Sequence, residues 1–271
     1  MTLASTSEAA EPAKTVNVLM VTQSQGFVHN PVKRPTDKLA TSEIAVTQLG
    51  QKVGWFDVHC TQDVAADFTK ENLQNYQLVL FYTTGNLPIA KADLDYFFEE
   101  WLQQPGHGFV GVHSAADTFK DYKPYWDMVG GTFNGHPWNA GEMVTIAVHD
   151  SEHPAVRHLA PEFEIKDEIY QYKNWQPEKV RVLMSLDMAK TKLKKPYLVP
   201  VAWVKPYGKG RMFFTNLGHN DGTWADPRFV DHLENGMKWA AGLIEGDATP
   251  NPELSEMLEK KAKTDTEAAG K

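Results

Sequence analysis

The chain reads as an α/β protein, a doubly wound parallel sheet with an added antiparallel strand segment. Three observations carry this. Short apolar runs of the kind buried on both faces of a sheet recur up to Val112. Helix-like stretches lie between them, the alternation that builds a parallel sheet covered by helices. Beyond Tyr122 strand-like runs follow one another with little helix between them, and antiparallel pairing is the natural connection for strands so close in sequence.

Val16 to Thr22 is the first strand, running into the polar loop Gln23 to Asn30. Thr36 to Gly50 predicts an amphipathic helix with Leu39, Ile44, Val46 and Leu49 on its apolar side and Gly50 as its stop. Trp55 to Cys60 is the second strand and Leu78 to Tyr82, followed by Thr83-Thr84-Gly85-Asn86, the third. Ala92 to Leu102 is a helix whose apolar side is Leu94, Phe97, Phe98, Trp101 and Leu102. Phe109 to Val112 is the fourth strand, which stops at His113-Ser114 and turns into small residues as far as Asp117. Such a turn lifts the next polar group to the carboxyl edge of the sheet, where open α/β sheets bind ligands.

Gly130 to Trp138 is a Gly-rich loop without periodicity, and Glu142 to His149 alternates as a half-buried strand. Phe163 to Tyr172, Val180 to Leu186, Val199 to Lys205 and Arg211 to Asn216 extend the antiparallel segment. Pro227 to Leu243 closes the fold as a helix, with Phe229, Leu233, Met237, Trp239 and Ala240 turned inward. One domain is expected over residues 16–246. A disordered segment, 1–15, precedes it, and a charged, Pro-containing tail, 247–271, is expected to fray or lie on the surface.

Composition narrows the function. With 42% hydrophobic residues in 271 the chain can bury a real core, and its net charge is -8. The one dense basic run, Lys190 to Lys195, lies between strand-like segments and reads as a solvated loop, so no nucleic-acid partner is expected. No run of about 18 apolar residues occurs, so no membrane-spanning helix is expected. Cys60 is the single cysteine, which excludes an intramolecular disulfide and a cysteine-based metal site; a buried, inert thiol is expected. This fits a reducing, cytoplasmic compartment. Met1 to Lys14 lacks the basic start and apolar centre of a signal peptide, but it would suit the remnant of a longer export signal, so a periplasmic location stays open. So does homo-oligomer formation.

Four of the ten histidines stand next to turn residues: His29, His113, His136 and His219. Loops after strands are where a rigid scaffold holds functional side chains. Taken singly, a histidine is more often structural, and His59, His107, His149, His153, His158 and His232 are read that way. Asp167-Glu168-Ile169-Tyr170 places two acids in a strand-like stretch, with alternation putting Glu168 and Tyr170 on one face. An inward acid costs several kcal/mol unless paired or bound to a cation, and the histidines can supply the partner. Gly111-Val112-His113-Ser114-Ala115 has the shape of a nucleophile elbow, but the motif needs serine where His113 stands, and Ser114 comes one place late. Acyl-enzyme chemistry is therefore disfavoured. Imidazoles with a carboxylate suit acid–base work near neutral pH. A divalent metal held by His29, His113, Glu168 and His219, with zinc favoured by ligand type, is the other reading, although the histidines lack the compact H-x-x-x-H spacing that would mark such a site.

Gln25-Gly26-Phe27-Val28-His29, Gly111 to Ala115, Gly130-Gly131-Thr132-Phe133 with His136-Pro137, Asp167 to Tyr170, Pro200-Val201-Ala202-Trp203, and Gly208 to Arg211 with Leu217-Gly218-His219 resemble the ThuA-like (trehalose-utilisation) family. The resemblance runs in order from Val16 to Gly242. It implies a class I glutamine amidotransferase-like fold, that is, a flavodoxin-like doubly wound sheet with added strands. That superfamily places a catalytic cysteine at the elbow where this chain has His113, so glutaminase activity is not carried over. Carbohydrate catabolism beside oxidoreductases that make keto-sugars is implied, with a small-molecule carbohydrate as partner. His29, His113, His136, Glu168 and His219 are the catalytic residues by motif, and Tyr170 a substrate-binding one. Trp203 and Trp138 are expected either as an aromatic platform for a sugar or, equally, as core or lid packing, with Asn86 and Asp117 as further substrate contacts. The expected activity is hydrolysis, elimination or isomerisation of a disaccharide or keto-glycoside. The alternative is a non-catalytic carbohydrate-binding or assembly domain that lost the amidotransferase cysteine.

Overall fold

Alternation within the apolar runs decides the layers. Along β1 (Val16–Val21), Val16, Val18 and Met20 enter one core while Leu19 and Val21 enter the other. A computed structural model describes residues 15–191 and 199–269. The expectations for residues 1–14 and for Lys192, Lys194 and Lys195 of the basic run lie outside the described residues.

After β1 come α1 (Thr41–Val53), β2 (Phe56–Thr61), the single turns α2 (Val64–Asp67) and α3 (Lys70–Leu73), and β3 (Leu78–Phe81). Next are α4 (Lys91–Tyr96), continued by a π-helical turn Phe97–Trp101, then β4 (Gly108–Val112) and a 3-10 turn His113–Asp117. The second half holds α5 (Lys123–Val129), β5 (Thr132–Phe133), β6 (Met143–Val148), β7 (Glu162–Lys166) and β8 (Tyr172–Lys173). It ends with β9 (Arg181–Leu186), β10 (Pro200–Tyr207), β11 (Gly210–Thr215), α6 (Pro227–Ala240) and α7 (Pro252–Ala269).

Nine strands form one sheet in the order β2-β1-β3-β4-β11-β10-β9-β6-β7. The pairs β1–β2, β1–β3, β3–β4 and β4–β11 are parallel, and every pair from β11 to β7 is antiparallel. The expected architecture holds: a flavodoxin-like parallel half, with the added strands continuing the same sheet. Four antiparallel steps separate β11 from β7, so β7 runs in the direction of the parallel strands. Its end reaches the same carboxyl edge as the ends of β1, β4 and β11.

Local differences have local causes. Helix α1 begins at Thr41 rather than Thr36, because Glu43 accepts from the Ala40 N–H (2.8 Å) and caps the first turn there. It ends at Gly54, whose φ of 70° is the left-handed cap, and not at Gly50. Leu39 and Ile44 are exposed, so only Val46 and Leu49 of the expected apolar side are buried. The Phe163–Tyr172 run breaks after Lys166. Helix α5 appears where no helix was expected, just ahead of the Gly-rich loop. Of the two expectations for the tail, the surface one fits: α7 is helical and mostly exposed, while Val182 N–H donates to Asn251 Oδ1 (2.8 Å) and Asn251 Nδ2 to Val182 O (3.1 Å), which anchors it to β9, and Ser255 is buried. Cys60 is partly buried and burial raises its thiol to about 11, as an inert cysteine requires.

His232 on α6 is fully buried and its Nδ1 donates to Ala155 O at 2.8 Å. Burial, the largest influence, lowers its pKa to about 3 against the opposing hydrogen bond. The unfolded chain therefore takes up this proton first as pH falls, and stability drops from about pH 6.5 downward by about 1.4 kcal/mol per unit for that one site. Urea midpoints at pH 7 and pH 4.5 should fall less steeply in His232→Leu than in the wild type. Parallel acid limbs contradict this reading.

Candidate functional site

The segments that follow β1, β4, β7 and β11 each deliver one group to a common cluster at the carboxyl edge of the sheet. His29, in the loop after β1, is 2% exposed and His113, directly after β4, is wholly buried. His113 has φ 45°, a left-handed conformation rare for a residue with a side chain. It is the sharp turn expected there, and it aims the imidazole back over the sheet. Glu168 arrives after β7 and His219 after β11. One ligand atom from each of His29, His113, Glu168 and His219 lies within 4.8 Å of the others.

Each orientation has a cause. His113 Nδ1 donates to the Asn216 carbonyl (2.7 Å), so Nε2 carries the lone pair toward the cluster. That Nε2 is 3.1 Å from His219 Nδ1 and 3.7 Å from Glu168 Oε1, and His219 Nδ1 is 3.1 Å from the same oxygen. Oε2 of Glu168 meets His136 Nδ1 at 3.2 Å, and His136 is about half exposed. His29 Nε2 pairs with the Tyr170 hydroxyl at 3.1 Å, while its Nδ1 is buried without a hydrogen-bond partner. Burial pushes the Glu168 carboxyl up, but the hydrogen bonds and charges of His113 and His219 outweigh it and hold the group well below the usual carboxylate range. For His29 burial acts first, then the charges of His113 and His219, and together they lower its pKa to about 2. Burial keeps the Tyr170 hydroxyl protonated far above its ordinary range.

Two residues that sequence reasoning passed over hold this arrangement. Asp167 is fully buried and accepts from the N–H groups of Glu168 (3.1 Å), Gly218 (2.7 Å) and Asn220 (3.0 Å). Asn216 bonds the Tyr170 main chain in both directions, at 3.0 and 2.9 Å, besides receiving His113. Gly218, at φ 120°, is locked by Asp167 on one side and by Tyr82 and Trp224 on its carbonyl (2.9 Å each), so the following His219 has a fixed stem. The signal for Asp167 was present: it is an acid next to Glu168 whose supposed strand face was apolar.

Some expected contacts fall elsewhere. Trp203 is wholly buried, donates to Val129 O at 2.7 Å and stacks on Phe214, and Trp138 is wholly buried in the other core. Neither offers a sugar a face. Both belong to apolar packing that the chain satisfies before any ligand arrives. Asn86 is exposed on the β3 loop, and among the described residues no hydrogen bond or ion pair joins it to the cluster. Asp117 closes the turn begun by His113 and pairs with Lys120 at 2.5 Å. Tyr170 lies against the cluster, its ring 4.2 Å from that of His113.

The model of the ThuA family, described as trehalose utilisation, matches residues 17–240. No curated protein sequence matches the chain. Among solved structures the fold is similar to a putative ThuA-like protein from Bacteroides uniformis (24% identity, TM-score 0.66, covering 92% of this chain and 100% of that one). It is similar also to a putative ThuA-like protein from Parabacteroides merdae (18%, 0.64, 89% and 99%). A protein from Salmonella typhimurium, named there as cytoplasmic, is similar at 12% identity and TM-score 0.55, covering 82% of this chain and 98% of that one. At these identities the likeness speaks for the fold. No helix of the described residues is long and apolar enough to cross a membrane.

Proposed function

The chain belongs to the ThuA, trehalose-utilisation, family, and from that premise we propose that it is an enzyme processing a disaccharide or keto-glycoside at a divalent metal centre. The observation that supports this most is the convergence of four donor atoms, from four separate strand ends, within 4.8 Å.

The donors fit a metal in three respects. Separations of 3.1, 3.1 and 3.7 Å among His113 Nε2, His219 Nδ1 and Glu168 Oε1 bracket the ~3.4 Å edge of a tetrahedron with bonds of ~2.1 Å. The Asn216 carbonyl fixes the His113 tautomer that leaves a lone pair facing inward, as an outer-shell partner should. His29 Nδ1 is a buried polar atom with no partner, and such atoms call for an explanation. His113, His219 and Glu168 would hold the ion with His29 as the fourth donor, and zinc suits that set. Bound there, it would polarise a carbonyl or glycosidic oxygen or acidify a water.

The chain supplies the rest. Glu168 stays ionised and offers its second oxygen to His136, which is half exposed and able to pass a proton between the pocket and solvent. Tyr170, kept neutral, donates or accepts one hydrogen bond at His29. Asp167 and Asn216 hold their neighbours without meeting the substrate.

Elemental analysis of the purified protein, with turnover measured on a panel of disaccharides and their keto forms, tests the reading. Stoichiometric metal is expected, with turnover lost on chelation and restored by zinc. Full turnover in metal-free protein rules out the metal. Binding without conversion turns the assignment to a non-catalytic carbohydrate-binding domain.

A further inference from the structure

The loop that carries His29 also borders a second cleft, about 350 Å³ in volume, that none of the cluster residues lines. That volume lies within the range of small-molecule sites. The cleft sits beyond the ends of β1 and β2, at the carboxyl edge where open α/β sheets bind ligands. Hydrogen bonds fix its walls. Gln62 Nε2 donates to Thr22 Oγ1 (3.1 Å) and to Val32 O (2.7 Å), which ties the end of β1 to the 3-10 turn Asn30–Val32. Ser42 Oγ holds the same turn through Pro31 O (2.7 Å), and Gln23 Oε1 accepts from Val64 N–H (2.8 Å). A site held in this way binds without first ordering a loop.

The residues around the cleft are rich in free donors. Lys33 and Arg34 line it and no carboxylate does, in a chain of net charge -8. Arg34 uses Nε and Nη2 on the buried Glu43, and Nη2 again on Cys60 O, so its Nη1 has no partner among the described residues. Lys33 is exposed and forms no ion pair among the described residues. Gln23 has its oxygen occupied by Val64, which leaves its NH2 without a partner among them. Ser24 Oγ is buried with no hydrogen-bond partner, and such an atom calls for an explanation. Two cations, an amide and an orphaned hydroxyl thus border one space. Their match is an oxyanion. A phosphate group carries more charge than a carboxylate and has three strong acceptor oxygens, enough for donors that come from several directions.

We propose that this cleft binds a phosphate group, with Lys33 and Arg34 supplying the charge-assisted bonds and Gln23 and Ser24 the neutral ones. Free phosphate and the monoester of a small molecule share that chemistry, and Val28 and Val32 add apolar wall for the rest of an ester. The site is separate from the histidine cluster and does not depend on a metal there.

Calorimetry of the purified full chain at fixed ionic strength, with inorganic phosphate, glycerol 3-phosphate and glycerol, tests this. Saturable binding of at least one phosphate compound is expected, and none of glycerol. Lys33→Met should weaken it roughly tenfold while Lys33→Arg preserves it. Gln23→Glu keeps an acceptor for Val64 N–H but sets a negative charge in the cleft, and should also weaken binding roughly tenfold or more. Circular dichroism checks that the variants fold. Tighter binding of glycerol 3-phosphate than of phosphate supports an ester as the ligand, and equal affinity supports the free anion. No saturable binding, or an unchanged affinity in either Lys33→Met or Gln23→Glu, overturns the inference. So does a loss confined to Glu168→Gln, which puts the anion at the histidine cluster instead.

Discussion

Glu168→Gln is expected to lose metal and turnover together. The carboxylate meets three imidazoles, His219 and His113 through Oε1 and His136 through Oε2. Glutamine keeps the volume and one carbonyl oxygen, but it removes the negative charge that offsets a cation in a site where water is largely excluded. Its amide also presents donors to imidazole lone pairs. Loss of an outer-shell partner already costs about 10–100-fold in metal affinity, so loss of this donor should cost at least about 100-fold. Turnover should fall to background at metal concentrations that saturate the wild type. Competition with a chelating indicator measures the affinity, and circular dichroism shows that the fold persists. An unchanged affinity would remove Glu168 from the donor set.

The second large effect is on stability. Asp167→Asn leaves one oxygen to serve the three N–H groups now shared between two, and it turns an NH2 toward either Gly218 N–H or the pair from Glu168 and Asn220. The site is fully buried, so water cannot take over. Leaving a buried donor unsatisfied costs about 1–3 kcal/mol, and the loss of charge assistance adds to it. A drop of about 2–3 kcal/mol is expected in urea unfolding, with the metal affinity falling as well because His219 loses its stem. A change under about 0.5 kcal/mol, the size of an ordinary surface substitution, would mean that the loop is held by other contacts.

The parallel half was legible because its strands are apolar on both faces: Leu78–Phe81 and Gly108–Val112 are buried throughout, and no other element tolerates that pattern in so short a run. The residues that converge were legible for a related reason. His29, His113 and His219 each follow a run that had to be a central strand. What was misread turns on contacts distant in sequence. Alternation carried the strand after Phe163 onward to Tyr172, but Asp167 turns inward to collect N–H groups from beyond β11, and that demand ends β7 at Lys166. Trp138 and Trp203 look the same in sequence whether they face a sugar or a core. Trp203 is buried against Phe214, while Trp138 is buried in the other core and bridged to Ile169, about thirty residues on. The polar composition of α7 hid its attachment, in which the Asn251 side chain grasps the main chain of β9 while Leu254 packs on the core and Ser255 is buried.

The turn at His113 has an evolutionary consequence. A left-handed main chain costs on the order of 1–3 kcal/mol in a residue with a side chain, and His113 adopts it directly after a strand paired on both sides. The scaffold specifies the address, while the tenant sets the trade. The chain therefore carries an imidazole on the turn where the resemblance implies a sulfur nucleophile in the wider superfamily, with the building untouched. Kinship of backbone then tells a reader where to look in a distant cousin, and only the letter at that spot tells what work is done.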